Sequence, residues 1–195
     1  PMNFSIHFAG KHLVRYIVPM MALVLAGCSS TPSKKDRSLE HAPRKQVERV
    51  AYNGSPAVAA TQAKTMLVGQ VYIRDRVNGG DRTGAYLDVV LNPVSSVSNQ
   101  WYQEVCRAGK VLNGQADQRY VRDAFYAKTN GFGQFAFTSV PVGEYFLTSR
   151  LYWIDTKPMS GPVEYGGLLS KKVSLVAGTN AFDLNDADRC RGYFH

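Results

Sequence analysis

The chain has 195 residues, of which 23 are Lys or Arg and 15 are Asp or Glu, so its formal net charge is +8. This length fits one domain plus a tail, and the composition excludes a coiled coil, a collagen and a wholly disordered chain. All four histidines, His7, His12, His41 and His195, lie near an end or in a polar stretch. The sequence therefore gives no support to a histidine-based catalytic or metal site.

Residues 1–27 have the pattern of a secretory signal peptide. Lys11 and Arg15 provide the positive charge, and an apolar run follows from Tyr16 to Ala26. This run is too short for a helix across a bilayer, which needs about 20 apolar residues. The segment ends in Leu25-Ala26-Gly27-Cys28, which resembles the lipobox of bacterial lipoproteins.

The lipobox resemblance implies cleavage before Cys28 and attachment of lipid to this residue. Three acyl chains are enough for stable anchoring, whereas one chain gives only reversible binding. The next residue is Ser29, and by the sorting rule of enterobacterial lipoproteins an Asp there would favour the inner membrane. We therefore expect a lipid-anchored protein on the periplasmic face of the outer membrane of a Gram-negative bacterium.

Residues 28–64 are predicted to form a disordered, basic, lipid-anchored tether. The stretch after Cys28 is rich in Ser, Ala and Pro, and it carries seven basic and three acidic residues. Its charge suits contact with anionic lipid head groups or with peptidoglycan, but the preferred interpretation is a solvated spacer that holds the domain off the membrane. Nucleic acid is excluded as a partner by the predicted compartment.

Residues 65–195 are predicted to form a β-sandwich domain. Short apolar runs alternate with polar residues, and Gly, Pro and Asn separate the runs. The run over residues 145–153 is apolar on both faces, so both faces should be covered. A turn at Gly178-Thr179 is expected to join residues 173–175 and 182–184 in a closing hairpin.

One segment has the period of a helix instead. Val97, Trp101 and Val105 recur every four residues, which predicts a short helix from about Ser98 to Ala108. The helix falls within a long connection between strands, from Pro93 to about Tyr120. Connections of this length are usually functional or form partner surfaces.

Residues 129–145, Thr-Asn-Gly-Phe-Gly-Gln-Phe-Ala-Phe-Thr-Ser-Val-Pro-Val-Gly-Glu-Tyr, are similar to the signature of carboxypeptidase-regulatory-like domains. The resemblance covers about residues 65–184. It implies an all-β, antiparallel, seven-stranded transthyretin-like sandwich and a non-catalytic module with binding or stabilising roles. Tight turns at Gly133 and Gly143 fit this assignment, since glycine readily adopts a positive φ.

Two cysteines remain once Cys28 is assigned to lipid. Cys106 and Cys190 form an even pair in an oxidising compartment, so we predict a disulfide between them, and two separate thiols are the alternative. No motif of a hydrolase, a phosphate-binding loop or a metal site is present, and the chain is predicted to be no enzyme and to use no metal or cofactor.

Aromatic residues in the connections are the remaining candidates for ligand contact. We expect the domain to bind or scaffold another component of the cell envelope, a protein or a glycan. The alternatives are a carbohydrate- or peptidoglycan-binding module that uses loop aromatics, and a lipoprotein subunit of a secretion machine. The candidate contact residues are Trp101, Tyr102, Tyr120, Tyr126 and Tyr165.

Overall fold

The computed structural model describes residues 44–59, 63–76, 78–157, 159 and 161–194, so the predicted signal peptide and Cys28 lie outside the described residues. Within these ranges no helix is long and apolar enough to cross a bilayer. The strands are β1 (Gln46–Val47), β2 (Lys64–Gln70), β3 (Tyr72–Arg74), β4 (Asp81–Thr83), β5 (Asp88–Pro93), β6 (Val111–Leu112), β7 (Phe125–Lys128), β8 (Gln134–Pro141), β9 (Gly143–Lys157), β10 (Gly161–Leu175), β11 (Gly178–Ala181) and β12 (Arg189–Phe194). The helices are α1 (Pro56–Ala59), α2 (Ser96–Gln100), a π-helical segment (Trp101–Arg107), α3 (Gln118–Arg122) and a 3₁₀ turn (Asp186–Asp188).

Two sheets carry the fold, and the prediction of an all-β domain is confirmed. The larger sheet has five antiparallel strands in the order β12-β10-β9-β5-β7, and the smaller has three in the order β11-β2-β8. The turns at Gly133 and Gly143 have positive φ angles of +77° and +148°, as predicted. At Gly133 a Cβ would lie 2.7 Å from the carbonyl oxygen of Val71, so only glycine fits there.

The hydrophobic core contains side chains from both sheets. Leu67 of β2, Val89 and Leu91 of β5 and Leu147 of β9 are completely buried in it. The alternation of apolar and polar residues along each strand explains this, because successive side chains point to opposite faces. On β9 both faces are buried over residues 145–149, as the sequence predicts, but Arg150 and Tyr152 are exposed, so the prediction is wrong for the end of the run.

The predicted closing hairpin is wrong. β10 is already paired with β9 on one side and with β12 on the other, so it offers no free edge to β11. The chain instead crosses to the smaller sheet, where β11 pairs in parallel with β2. The side chain of Asn180 fixes this crossing: its Nδ2 donates to the carbonyl of Val176 at 2.9 Å and to Oγ1 of Thr65 at 2.8 Å.

Strand pairing also departs from a purely antiparallel, seven-stranded arrangement. β11 runs parallel to β2, and β1 runs parallel to β6. Two small two-stranded sheets, β1-β6 and β3-β4, accompany the main pair of sheets in the described part of the chain. The extra strands come from the ends of the domain and from its long connections.

The helix predicted near residues 98–108 is present, but it begins earlier and changes type. Ser95 caps α2 in a reciprocal arrangement with Ser98, and the π-helical segment follows directly. Val97 and Val105 are buried, as the helical period predicts. Trp101 lies where the α-helix passes into the wider π-helix, and it is only partly buried.

The folded part of the chain begins before residue 65. Residues 44–59 fall in the predicted tether, yet β1 pairs with β6 and Tyr52 is buried. The side chain of Gln100 also holds this segment: its Oε1 accepts from the backbone N–H of Val50 at 3.0 Å, and its Nε2 donates to the carbonyl of Glu48 at 2.6 Å. The prediction of disorder up to Lys64 is therefore wrong for residues 44–59.

Candidate functional site

The outer face of the five-stranded sheet forms the floor of a cleft. On β5 the buried Val89 and Leu91 face the core, so Asp88, Val90 and Asn92 project from the opposite face. The long connection that carries the π-helical segment and α3 rises beside this face. The cleft has a volume of about 580 Å³, and its lining residues include Tyr86, Asp88, Asn92, Trp101, Tyr120, Tyr126, Thr148 and Arg150.

Trp101 is held in the cleft wall by a small second core. Cys106 and Cys190 form the predicted disulfide, which joins the π-helical segment to β12. Both cysteines and Leu168 are buried, and Trp101 packs against the cluster that they form. The indole therefore rests on a covalently fixed support while it also lines the cleft.

Tyr120 and Tyr126 form another part of the wall. Tyr120 lies on α3 and makes an edge-to-face contact with Tyr52, with 5.7 Å between ring centroids. The hydroxyl of Tyr126 donates to the carbonyl of Val121 at 3.1 Å. Burial, with a smaller effect of Tyr126, raises the pKa of Tyr120 to about 12. Like any tyrosine hydroxyl near pH 7 it is neutral, and it can donate or accept a hydrogen bond.

Polar groups lie among the aromatic rings. Asp88 forms an ion pair with Lys128 at 3.1 Å, and Thr148 shares a hydrogen bond of 2.9 Å with Ser170. Arg49 lies in the cleft wall, where its Nε donates to the carbonyl of Gly114 at 3.1 Å. A cleft of this size with a few polar groups between apolar rings is typical of a small-molecule or oligomer binding site.

Two of the five predicted contact residues lie elsewhere. Tyr102 stacks on Phe146 with 4.7 Å between ring centroids, so its ring packs the helix against the sheet. Tyr165 stacks on Trp153 at 5.8 Å and lines a separate pocket of about 190 Å³. Trp101, Tyr120 and Tyr126, the other three, line the same cleft.

Sequence reasoning missed most of the residues that line the cleft, four of which carry much of its chemistry. Tyr86 and Asp88 are exposed, but the sequence analysis did not identify this face of the sheet as a binding surface. Arg150 extends the same face on the neighbouring strand, and Arg49 comes from the segment assigned to the tether. Tyr86 is 71% exposed and has a φ of +59°. A Tyr next to a predicted strand is the one feature of the sequence that pointed to a binding surface here.

No group of three or more His, Cys, Asp or Glu side chains in the described ranges is arranged to hold a metal ion. The cleft itself contains one carboxylate, that of Asp88, and this carboxylate is paired with Lys128. The residues that line the cleft thus suit binding through rings, hydrogen bonds and guanidinium groups.

Comparison with solved structures finds a proposed carbohydrate-binding protein from Pseudomonas aeruginosa, with a TM-score of 0.56 and 22% sequence identity, covering 65% of this chain and 90% of that chain. A DUF3823 family protein from Parabacteroides merdae has a TM-score of 0.31 and 18% identity, covering 64% of this chain and 46% of that one. No protein-family model matches the chain, and no curated protein matches it. The first likeness shows that the two proteins share a β-sandwich fold.

Proposed function

We propose that this protein is a non-catalytic carbohydrate-binding module and that the cleft on the outer face of the five-stranded sheet is its site. The observation that carries this proposal is the convergence of Trp101, Tyr120 and Tyr126 on one cleft. Aromatic faces provide large, rigid contact areas, and the C–H faces of sugar rings can stack on them. The neighbour from Pseudomonas aeruginosa is itself a proposed carbohydrate-binding protein, which supports the same assignment.

The placement of the helix favours a glycan over a protein surface as the bound component. A protein-scaffolding surface would present the apolar residues of the helix as an open patch. Tyr102 instead packs on Phe146, while Trp101 lines a concave site. The cleft can receive a few sugar rings, whose hydroxyl groups would meet Asn92, Thr148 and the neutral hydroxyl of Tyr120.

We also assign the domain to the carboxypeptidase-regulatory-like, transthyretin-like sandwiches. The motif at residues 129–145 supports this assignment, as do the positive φ angles of Gly133 and Gly143. In this scheme β1, β3, β4, β6 and β12 are additions to a seven-stranded sandwich. The additions from the N-terminal segment and the long connection supply Arg49, Trp101 and Tyr120 to the cleft.

Lipid attachment at Cys28 places this module on the periplasmic face of the outer membrane in our proposal. The support is the motif Leu25-Ala26-Gly27-Cys28 alone. We expect metabolic labelling with a palmitate analogue to mark the expressed protein and Cys28→Ser to abolish the label. Equal labelling of the Cys28→Ser variant would contradict this assignment.

Affinity electrophoresis tests the binding function. The protein is run through native gels that contain soluble starch, hydroxyethyl cellulose, glycol chitin or polygalacturonate. We expect at least one polysaccharide to retard it, and Trp101→Ala to abolish the retardation because the stacking ring is lost. Trp153→Ala is the matched control, since Trp153 is the second tryptophan of the chain and lies outside the cleft. Free migration in all four gels, or equal retardation of Trp101→Ala, would refute the proposal.

A further inference from the structure

The charges in the cleft indicate which glycans it recognises, an inference that rests on the proposed function. Three charged side chains line the cleft, namely Arg49, Asp88 and Arg150. The carboxylate of Asp88 is ion-paired with Lys128, so its charge is offset within the protein. Two guanidinium groups against one exposed, ion-paired carboxylate leave the lining of the cleft with a net positive charge.

The two arginines differ in how they are held. Arg49 is partly buried, and its Nε donates to the carbonyl of Gly114 at 3.1 Å, which leaves its terminal nitrogen atoms available. Its positive charge also acts on the hydroxyl of Tyr120, where it opposes the rise of the pKa. Arg49 thus lies beside the aromatic wall of the cleft.

Arg150 projects from β9 and is exposed. Across the described ranges of the chain, no carboxylate forms an ion pair with Arg49 or Arg150. Arg82, Arg119 and Arg189 form ion pairs with Asp75, Asp117 and Asp186, whereas other arginines of the described ranges, Arg107 among them, are unpaired as well. What distinguishes Arg49 and Arg150 is that both line one cleft together with the aromatic rings, where their guanidinium groups can face a ligand.

We propose that the cleft selects acidic polysaccharides whose sugar rings carry carboxylate groups, such as uronic acids. The planar fork of a guanidinium group matches the two oxygens of a carboxylate and can bind it through two parallel hydrogen bonds. The aromatic rings hold the sugar faces, and Arg49 and Arg150 bind the carboxylate substituents. The aromatic contacts give affinity for any suitable chain, and the arginines give preference for the charged one.

Calorimetric titration with two matched oligosaccharides tests the preference. β-1,4-linked oligoglucuronate and a cello-oligosaccharide of equal length have the same rings and linkages, and they differ in the group at C6. We expect the oligoglucuronate to bind about tenfold more tightly, as one or two charge-assisted hydrogen bonds would give. Arg150→Gln should remove most of that difference, so that the ratio of the two affinities approaches one.

Arg107→Gln is the matched control, because Arg107 is exposed and does not line the cleft. Equal affinity for the two oligosaccharides, with both lost in Trp101→Ala, would overturn the acidic preference while the glycan-binding function stands. Binding of neither oligosaccharide, together with free migration in all four gels, would overturn both. A dextran sulfate titration separates carboxylate recognition from general attraction of polyanions: dextran sulfate binding as tight as that of oligoglucuronate and unchanged in Trp101→Ala would overturn the inference.

Discussion

Single tyrosine hydroxyl groups show how burial sets the chemistry of this domain. Tyr145 is completely buried in the core, and its hydroxyl donates to the carbonyl of Pro141 at 2.8 Å. Burial raises the pKa of Tyr145 to about 12 from its ordinary value of 10.0. Tyr120, in the cleft wall, has its pKa raised to about 12 for the same main reason. For both residues the folded state therefore favours the protonated hydroxyl, and ionisation of either hydroxyl destabilises the fold.

The raised pKa of Tyr145 predicts a loss of stability in alkali. The unfolded chain ionises this tyrosine near its ordinary pKa of 10.0, and the folded chain only near 12, so its contribution is complete below pH 10 and falls as the pH rises toward 12. Urea unfolding from about pH 8 to pH 11 measures this effect. Tyr145→Phe should have a free energy of unfolding about 1 kcal/mol lower at pH 8, because the hydrogen bond is missing. Above pH 10 the free energy of unfolding of this variant should decline less steeply than that of the native protein. An unchanged slope in Tyr145→Phe would contradict this explanation.

At the scale of elements, the π-helical segment connects the disulfide to the cleft. Trp101 opens this segment and Cys106 lies near its end, where the disulfide ties it to β12. π-helical turns are rare and often occur at functional sites. Here the wider turn begins at Trp101, between Val97 and Val105. Both valines face the interior, whereas Trp101 reaches the cleft. The disulfide therefore fixes the cleft wall as well as the C-terminal strand.

Loss of the disulfide should weaken both stability and binding. The bond closes a loop with a sequence separation of 84 residues, for which chain entropy gives about 4.5 kcal/mol. We expect the double variant Cys106→Ala and Cys190→Ala to unfold at a lower urea concentration and to bind glycan more weakly, because Trp101 loses its support. A reductant should destabilise the native protein and leave the double variant unchanged. Identical unfolding curves of the native protein with and without reductant would contradict this role.

At the scale of the whole molecule, the segment before β2 is part of the folded domain. Tyr52 and Ala57 are buried, and the hydroxyl of Tyr52 donates to Asp123 next to α3. Burial, and then this hydrogen bond, raise the pKa of Tyr52 well above its usual range. Residues 44–59 thus pack against the long connection and contribute Arg49 to the cleft.

Truncation tests this view of the N-terminal segment. A chain that begins at residue 63 loses the buried side chain of Tyr52 and the hydrogen bonds of Gln100. This loss should lower the free energy of unfolding by about 2 to 4 kcal/mol. A chain that begins at residue 44 is the matched reference. Chemical denaturation of the two chains gives the comparison, and equal midpoints would show that the segment contributes nothing to folding.

The sequence predicts the local features of this fold and fewer of the distant pairings. Alternation along β5 and β9 identifies the buried faces because it depends on neighbouring residues alone. The partner of β11 depends on which strand edges remain free, and these are fixed by strands far away in the chain. Residues 44–59 show no apolar period, so the sequence pattern does not reveal that they are folded. The buried Tyr52 and the hydrogen bonds to Gln100 hold them in place.

The candidate site is predictable in part for the same reason. Aromatic residues in long connections are recognisable, and Trp101, Tyr120 and Tyr126 do meet in the cleft. Tyr102 follows Trp101 directly, and only the packing shows that its ring lies on Phe146. Arg150 lies on a strand whose outer face forms part of the cleft floor because the long connection packs beside it.

The most direct test of glycan binding in the cleft uses the two tryptophans as reporters. Trp153→Phe leaves Trp101 as the only tryptophan, and Trp101→Phe leaves Trp153. Each variant is titrated with oligoglucuronate while its fluorescence is recorded. The proposed site predicts a saturable change in emission from Trp101 and none from Trp153. A saturable change from Trp153 with a constant signal from Trp101 would place the sugar outside the cleft and contradict the central claim.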